Sequence, residues 1–132
     1  AAYQGYWDTW LAANDPPNPD HPDLARYYTG EALERAVSSI NENARLGRVL
    51  RLPQPSVFRF TASGIQVTGS SAEFVACVVD DGLVIDTSGE VLNSQVMTSR
   101  VRVSLLKDAE GWRVVRHDYL ESVAGQQRCA DR

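Results

Sequence analysis

Two adjacent pairs of residues in this chain carry groups that commonly move protons or bind cations. His117-Asp118 is one pair and Asp80-Asp81 is the other. An imidazole or a carboxylate can serve as a general acid or base, and two carboxylates can bind a cation. On a strand, however, neighbouring side chains point to opposite faces, so His117 and Asp118 cannot cooperate directly. Asp80-Asp81 precedes Gly82, an order typical of a turn. We therefore expect an exposed or edge polar pair at the first position and a turn at the second.

A metal site is the next chemistry that the sequence could support. His21 stands near three carboxylates, those of Asp15, Asp20 and Asp23. Their spacing matches neither the H-E-x-x-H zinc motif nor the calcium loop D-x-D-x-D-G, so helix caps and a solvated connector explain them better. The chain also contains no Ser–His–Asp elbow, no glycine-rich phosphate loop and no zinc quartet. The sequence predicts no metal, no cofactor and no catalytic set.

The first 28 residues are rich in aromatic side chains. They are Tyr3, Tyr6, Trp7, Trp10, Tyr27 and Tyr28. Rigid amphipathic rings suit small-molecule sites, although the same rings can simply fill a core. The candidate pocket residues are Tyr6, Trp7, Trp10, Tyr27, Tyr28 and, from the other end of the chain, His117. A small apolar molecule is the candidate ligand.

Four arginines offer a further binding hypothesis, an anion-binding patch. Arg100 and Arg102 alternate with valines and so share one strand face, with Arg113 and Arg116 expected nearby. Solvated positions opposite Glu or Asp explain these arginines better. The net charge of −4 argues against a nucleic-acid surface, which normally needs clustered Lys and Arg. No apolar run approaches the ~20 residues of a membrane span.

Apolar periodicity predicts that the helices come first. Over residues 2–14, apolar side chains recur at i, i+3, i+4, i+7 and i+8: Tyr3, Tyr6, Trp7, Trp10 and Leu11. That stripe is typical of an amphipathic helix. The proline-rich stretch 15–22 ends the helix and forms a rigid connector. We then expect a short helical turn with Asp20 as a cap, and a helix over 31–46 between Thr29 and Gly47.

After Gly47 the apolar period becomes two, which predicts strands. They are expected at 49–52, 57–60 with 65–67, 72–79, 83–85, 96–106 and 112–123. Asp80-Asp81-Gly82 is expected to join the third and fourth of these as a hairpin. Helices followed by strands predict an α+β fold, with N-terminal helices packed on a strongly bent antiparallel sheet in one domain over 1–132. The expected core contributors are Trp7, Trp10, Leu33, Val37, Phe60, Phe74, Val101 and Val103.

Several motifs carry a family resemblance. The closing hairpin Leu-Leu-Lys-Asp-Ala-Glu-Gly-Trp-Arg-Val-Val at 105–115 and the helix-first order resemble the nuclear-transport-factor-2-like superfamily. Tyr-Tyr-Thr-Gly-Glu-Ala-Leu at 27–33, Cys-Val-Val-Asp-Asp at 77–81 and Arg-Cys-Ala at 128–130 are similar to small exported proteins and lipoproteins of actinobacteria. The resemblance covers about residues 2–130. It implies a cystatin-like cone with an apolar cavity, and homodimers through the sheet face are common in the superfamily.

Export is the expected location, and a disulfide is the expected role of the two cysteines. Cys77 and Cys129 have no C-x-x-C spacing, and the alternative is two unrelated thiols in an intracellular protein. A chain starting at Ala1 is what a mature or trimmed exported protein would show, and a recombinantly produced chain would look the same. A bridge would anchor the polar tail at 125–128 to the sheet. We therefore expect an extracytoplasmic protein, secreted or attached to the cell envelope.

Three functions remain open from the sequence. The first is a non-catalytic binding or cell-envelope-associated module with a cone-shaped apolar cavity. The second is a small-molecule isomerase, cyclase or dehydratase with His117, Asp118, Asp80 or a pocket tyrosine as its base. The third is a subunit of a secretion or conjugation assembly. A carboxylate or histidine with a shifted pKa facing the cavity would favour the enzyme, and a filled or shallow cavity would favour the module.

Overall fold

The computed structural model describes residues 2–127 and Cys129, which form three helices and seven strands. The helices are α1 (Ala2–Ala13), α2 (Leu24–Tyr27) and α3 (Gly30–Leu46). The strands are β1 (Val49–Arg51), β2 (Arg59–Thr68), β3 (Ser71–Asp80), β4 (Leu83–Ile85), β5 (Val91–Asn93), β6 (Met97–Asp108) and β7 (Gly111–Ala124). The predicted α+β class and the helix-first order are confirmed.

The strands form two antiparallel sheets. The larger has the order β2-β3-β6-β7 and the smaller has the order β1-β4-β5. Register shifts interrupt the pairing of β2 with β3 once and that of β6 with β7 twice. Such bulges bend a strand and increase its local twist. One face of the larger sheet is covered by α1 and α3, and the sheet is not closed into a barrel.

The local signals at the helix ends were mostly correct. Gly47 has a φ of 66° and ends α3 in the left-handed region that glycine tolerates. Thr29 is the first capping residue of α3 but makes no side-chain bond to it. Its backbone N–H donates to Val114 O at 2.9 Å instead, which ties the start of α3 to β7. Asp23 rather than Asp20 caps α2.

The hairpin predicted at Asp80-Asp81-Gly82 does not form. β4 pairs with β1 and β5 rather than with β3, so the chain leaves the larger sheet at Asp80 and enters the smaller one. The buried carboxylate of Asp81 explains this course. It accepts hydrogen bonds from Ser56 Oγ at 2.7 Å and from the Val57 N–H at 2.6 Å, and these fix the chain before β2 to the end of β3.

The core lies between the covered sheet face and the helices. Trp7, Phe74, Val101 and Val103 are buried there as expected. Trp10 and Phe60 are only partly buried at its edge. The two α3 residues expected in the core, Leu33 and Val37, are only partly buried, and the helix buries Ala32, Ala36 and Ile40 instead. Small side chains face the cleft that this helix forms with α1 and β7.

The predicted disulfide joins Cys77 to Cys129, with 5.7 Å between the two Cα atoms. Both residues are partly buried. The tail before Cys129 is also held by hydrogen bonds, since the Gln127 N–H donates to Thr98 Oγ1 at 3.0 Å and that hydroxyl donates to Gly125 O at 2.7 Å. Arg128 and Ala130 of the Arg-Cys-Ala motif lie outside the described residues.

Arg100 and Arg102 lie on one face of β6, opposite the buried Val101 and Val103, as alternation predicted. Arg100 lies 3.5 Å from Glu121, and Arg102 lies 3.6 Å from Glu73. These acids offset the charge that an anion patch would need. Of the described helices, none combines the length and the apolar character that crossing a membrane requires.

Candidate functional site

A half-open cleft of about 370 Å³ lies between α1, α3 and β7. One end of the cleft is at Tyr28, which pairs with Val114 of β7. The cleft then runs along β7 past His117 and Tyr119, and its other end is at Asp80, the last residue of β3. Its lining residues are Tyr6, Trp7, Trp10, Tyr28, Glu31, Ala32, Arg35, Ala36, Ser39, Asp80, His117 and Tyr119. Five of the six candidate pocket residues therefore meet at one place.

Helical and strand periodicity bring these side chains together. On α1, Tyr6, Trp7 and Trp10 are spaced by one and three residues and share a face. On α3, Ala32, Arg35, Ala36 and Ser39 recur at i, i+3, i+4 and i+7, so one face of small side chains and one arginine borders the cleft. On β7, His117 and Tyr119 are two residues apart and point to the same side.

Tyr27, the sixth candidate, is not in the cleft. Its ring packs on α1 at Gly5, where an added Cβ would lie 2.2 Å from the ring. The pair fixes α2 against α1, because glycine alone leaves room for the ring. Tyr27 is therefore a packing residue, and its spacing from Tyr28 could not have shown this.

The inner end of the cleft is a stack of aromatic rings. Tyr6 stacks with Tyr28 and His117, at centroid distances of 4.4 and 4.7 Å. The buried Tyr28 hydroxyl donates to Tyr6 O at 2.8 Å. Trp7 meets Tyr6 edge-on at 5.4 Å and is buried. These rings fill the interior of the fold, so the cleft is a side opening and not a hollow core.

His117 is a buried histidine that keeps its proton-accepting form. Its Nε2 forms a hydrogen bond of 2.8 Å with the Tyr3 hydroxyl. Burial lowers the pKa of His117 to about 4, and the negative charge of Asp118 only partly opposes that shift. The imidazole is therefore neutral at pH 7. The expectation of an exposed or edge pair was wrong for His117, because aromatic rings cover it.

Asp118 lies on the opposite face from His117, as strand alternation predicted. It joins an ionic cluster at the rim, with Arg35 and Arg116 each 3.6 Å from its carboxylate. Glu31 completes the cluster, at 2.7 Å from Arg35 and 3.1 Å from Arg116. Two acids and two arginines therefore offset one another at this end.

Asp80 lies at the other end of the cleft and has no ion-pair partner among the described residues. Its Oδ1 accepts the Gly82 N–H at 2.8 Å, which is the turn role predicted for it. Burial raises its pKa; that backbone bond opposes the rise and the nearby charge of Asp81 adds to it. Asp80 also borders a second cleft of about 200 Å³, which shares Trp7 and Trp10.

Tyr119 was missed by the sequence reasoning. It remains 57% exposed overall. Burial around its hydroxyl, with a smaller contribution from the charge of Asp80, raises its pKa to about 12. The signal that could have found it is its position two residues after His117 on the same strand face.

His21 is not among the residues that line the cleft, and its ring forms a hydrogen bond with the backbone. Its Nδ1 accepts the Asp23 N–H at 3.2 Å. Over residues 2–127 and Cys129, no group of three His, Cys, Asp or Glu side chains is arranged to hold a metal ion.

Two solved structures resemble this fold. The intermembrane space region of the chloroplast protein ARC6 matches over 90% of this chain and 91% of its own, with a TM-score of 0.77 and 17% identity. The Kfla4162 protein from Kribbella flavida matches over 92% of this chain and 88% of its own, with a TM-score of 0.58 and 10% identity. No family model and no curated protein sequence matches the chain. At these identities the likeness establishes the fold alone, and it does not confirm the superfamily or the actinobacterial group suggested by the motifs.

Proposed function

We propose that this chain is an exported, non-catalytic binding domain whose cleft takes a small molecule with an apolar body. The observation that carries the proposal is the cleft itself, where partly exposed rings of Trp10 and Tyr119 face small side chains of α3. Concave sites lined by aromatic rings with a few polar groups are typical of small-molecule binding. Cell-envelope association and a nuclear-transport-factor-2-like cone belong to the same proposal, supported by the helix-first order and the helix-covered antiparallel sheet.

The disulfide supports the exported part of this proposal. Disulfides persist mainly in oxidising compartments, and Cys77–Cys129 closes 52 residues of sequence. The fold likeness to an intermembrane space region agrees with a location outside the cytoplasm.

An isomerase, cyclase or dehydratase remains the alternative, favoured by two groups in the cleft with shifted pKa values, His117 and Asp80. Their separation argues against joint catalysis. Through Val103, His117 is in register with Phe74, which lies six residues before Asp80 on β3. At about 3.3 Å per residue their backbone positions are offset by about 20 Å along the strands. Tyr3 moreover already occupies His117 Nε2.

A subunit of a secretion or conjugation assembly is the other candidate, and β2 favours it as a strand through which copies of the chain would pair. This ten-residue strand is at the edge of the larger sheet, and its Ile65 and Val67 are 64% and 61% exposed. Exposed apolar edge strands favour pairing with another chain. Sedimentation should then show a dimer that Val67→Lys dissociates and Leu92→Lys, on β5, leaves intact. A monomeric wild-type chain at all concentrations would remove this candidate.

The binding function is tested by filling the cleft from α3. Ser38 and Ser39 are adjacent and exposed, but only Ser39 borders the cleft. Ser39→Phe should weaken binding of benzyl alcohol at least about tenfold, since a ring placed in the cleft occupies the site. Ser38→Phe adds the same ring outside the cleft and should bind as the wild type does. Equal binding by both variants would contradict the proposal.

A further inference from the structure

The end of the cleft at Asp80 differs from the rest in how its aromatic rings are stacked. Tyr6 stacks with Tyr28 and His117, and Trp7 is buried, with edge contacts to Tyr3 and Phe58 at 6.1 and 5.2 Å. Trp10 makes no ring-to-ring contact within the described part of the chain, and Tyr119 makes one, edge-on to His117. No other aromatic ring among the described residues stacks on Trp10 or Tyr119, and both line the cleft.

The charge at this end of the cleft is negative. The acidic and basic side chains that line the cleft are Glu31, Asp80 and Arg35. Two acids and one arginine leave one negative charge in excess. Glu31 and Arg35 offset each other at 2.7 Å, so the excess charge is that of Asp80. Asp80 is half-buried, and the Gly82 N–H is the one hydrogen bond its carboxylate accepts from described residues. A carboxylate that has lost water without gaining a cation is stabilised when a cation arrives.

Two unstacked aromatic rings that line one cleft with an unpaired carboxylate suit one chemical class of ligand. The electron-rich face of an aromatic ring attracts a cation, best of all for Trp, and recognition of quaternary ammonium groups is the main use of such contacts. An anion would meet Asp80 unfavourably, and a neutral molecule would leave that carboxylate unpaired. The small side chains Ala32, Ala36 and Ser39 leave room for an apolar body beyond the cationic head.

We propose that the cleft binds a small organic ammonium ion, with its cationic head between Asp80, Trp10 and Tyr119 and its apolar body against α3. This proposal rests on the binding function above and specifies its ligand class. Asp80 is here a binding residue and not a catalytic base. Trp10 and Tyr119 contribute through their ring faces, which leucine cannot replace.

Three benzyl compounds of different charge test the proposal by calorimetry at pH 7 and low salt. Benzyltrimethylammonium should bind at least about tenfold more tightly than benzyl alcohol and phenylmethanesulfonate. Asp80→Asn should remove this preference, since an asparagine can still accept the Gly82 N–H but has no charge. Asp8→Asn is the matched control, because it removes one negative charge from the exposed side of α1 and should keep the preference. Tyr119→Leu, at a largely exposed position, should reduce cation binding alone.

The outcomes distinguish the ammonium proposal from the binding function on which it rests. Similar affinities for all three compounds, blocked by Ser39→Phe, would overturn the ammonium ligand and leave the binding function standing. No binding of any compound, or binding unaffected by Ser39→Phe, would overturn both. A cation preference that Asp8→Asn removes as fully as Asp80→Asn would reflect the overall negative charge and would also overturn the ammonium site.

Discussion

Replacement of His117 by glutamine should remove a specific part of the pH dependence of folding. Burial lowers the pKa of His117 from 6.5 to about 4. Between pH 6.5 and pH 4, the imidazole is therefore protonated in the unfolded chain and neutral in the folded chain. Stability from this group is therefore present above about pH 6.5 and is lost as the pH falls towards about 4. At 1.36 kcal/mol per pKa unit, the full loss is about 3 kcal/mol, of which about 2 kcal/mol falls between pH 7 and pH 5.

Urea unfolding followed by tryptophan fluorescence at pH 7, 6 and 5 measures this difference. Glutamine retains an acceptor for the Tyr3 hydroxyl but does not titrate, so the wild type should lose about 2 kcal/mol more than His117→Gln over that range. Carboxylates common to both chains cancel in the comparison. Tyr3→Phe is the control, because it removes the 2.8 Å hydrogen bond but keeps the histidine and hence the slope. Parallel stability curves for the wild type and His117→Gln would refute a desolvated neutral imidazole.

Three other structural features make predictions about stability. Thiol titration of the unreduced, denatured protein should find no free thiol, and two titratable thiols would refute the bridge. Replacing both Cys77 and Cys129 by serine should lower the free energy of unfolding, measured with urea, by up to about 4 kcal/mol, because the bridge spans 52 residues. Gly5→Ala should lower stability by about 1–3 kcal/mol because the added Cβ meets the Tyr27 ring. In the double variant, Tyr27→Ala should relieve that cost, and additive effects of the two substitutions would contradict the clash. Asp81→Ala should cost about 1–3 kcal/mol in the same assay, because it leaves the Val57 backbone N–H and the Ser56 hydroxyl without their acceptor. A loss below about 0.5 kcal/mol would be inconsistent with that role.

Local periodicity predicted the elements well, and long-range contacts account for what it missed. The helix stripe of α1 and the end of α3 at Gly47 depend on neighbours within a few residues, so the sequence contains them. The course of the chain after Asp80 depends on Ser56, 25 positions before Asp81, whose carboxylate it meets at 2.7 Å. Turn propensity reflects adjacent residues only, so it does not predict that contact. The rotation of α3 likewise depends on what it packs against.

The candidate site was found in part because aromatic residues crowd into α1. The sequence includes Asp80 among the possible bases, but its place before Asp81-Gly82 favours a turn, so its position at the cleft is not predicted. Tyr119 was predictable from alternation with His117, but only after β7 was known to face the helices. The burial of His117 could not be predicted, since its neighbours Asp118 and Arg116 are polar and exposed or partly exposed. Rings from α1, more than 100 positions away, bury it.

Nitrogen-15 NMR of the three tryptophan indoles tests the central claim most directly, that the cleft is where the chain binds a small molecule. Trp7 and Trp10 line the cleft, whereas Trp112 lies beside Lys107 near the closing hairpin. Titration with benzyltrimethylammonium, and separately with benzyl alcohol, should shift the Trp10 indole signal saturably, with a smaller shift at Trp7 and none at Trp112. If no indole signal moves with either compound, or if Trp112 moves as much as Trp10, the cleft is not the binding site.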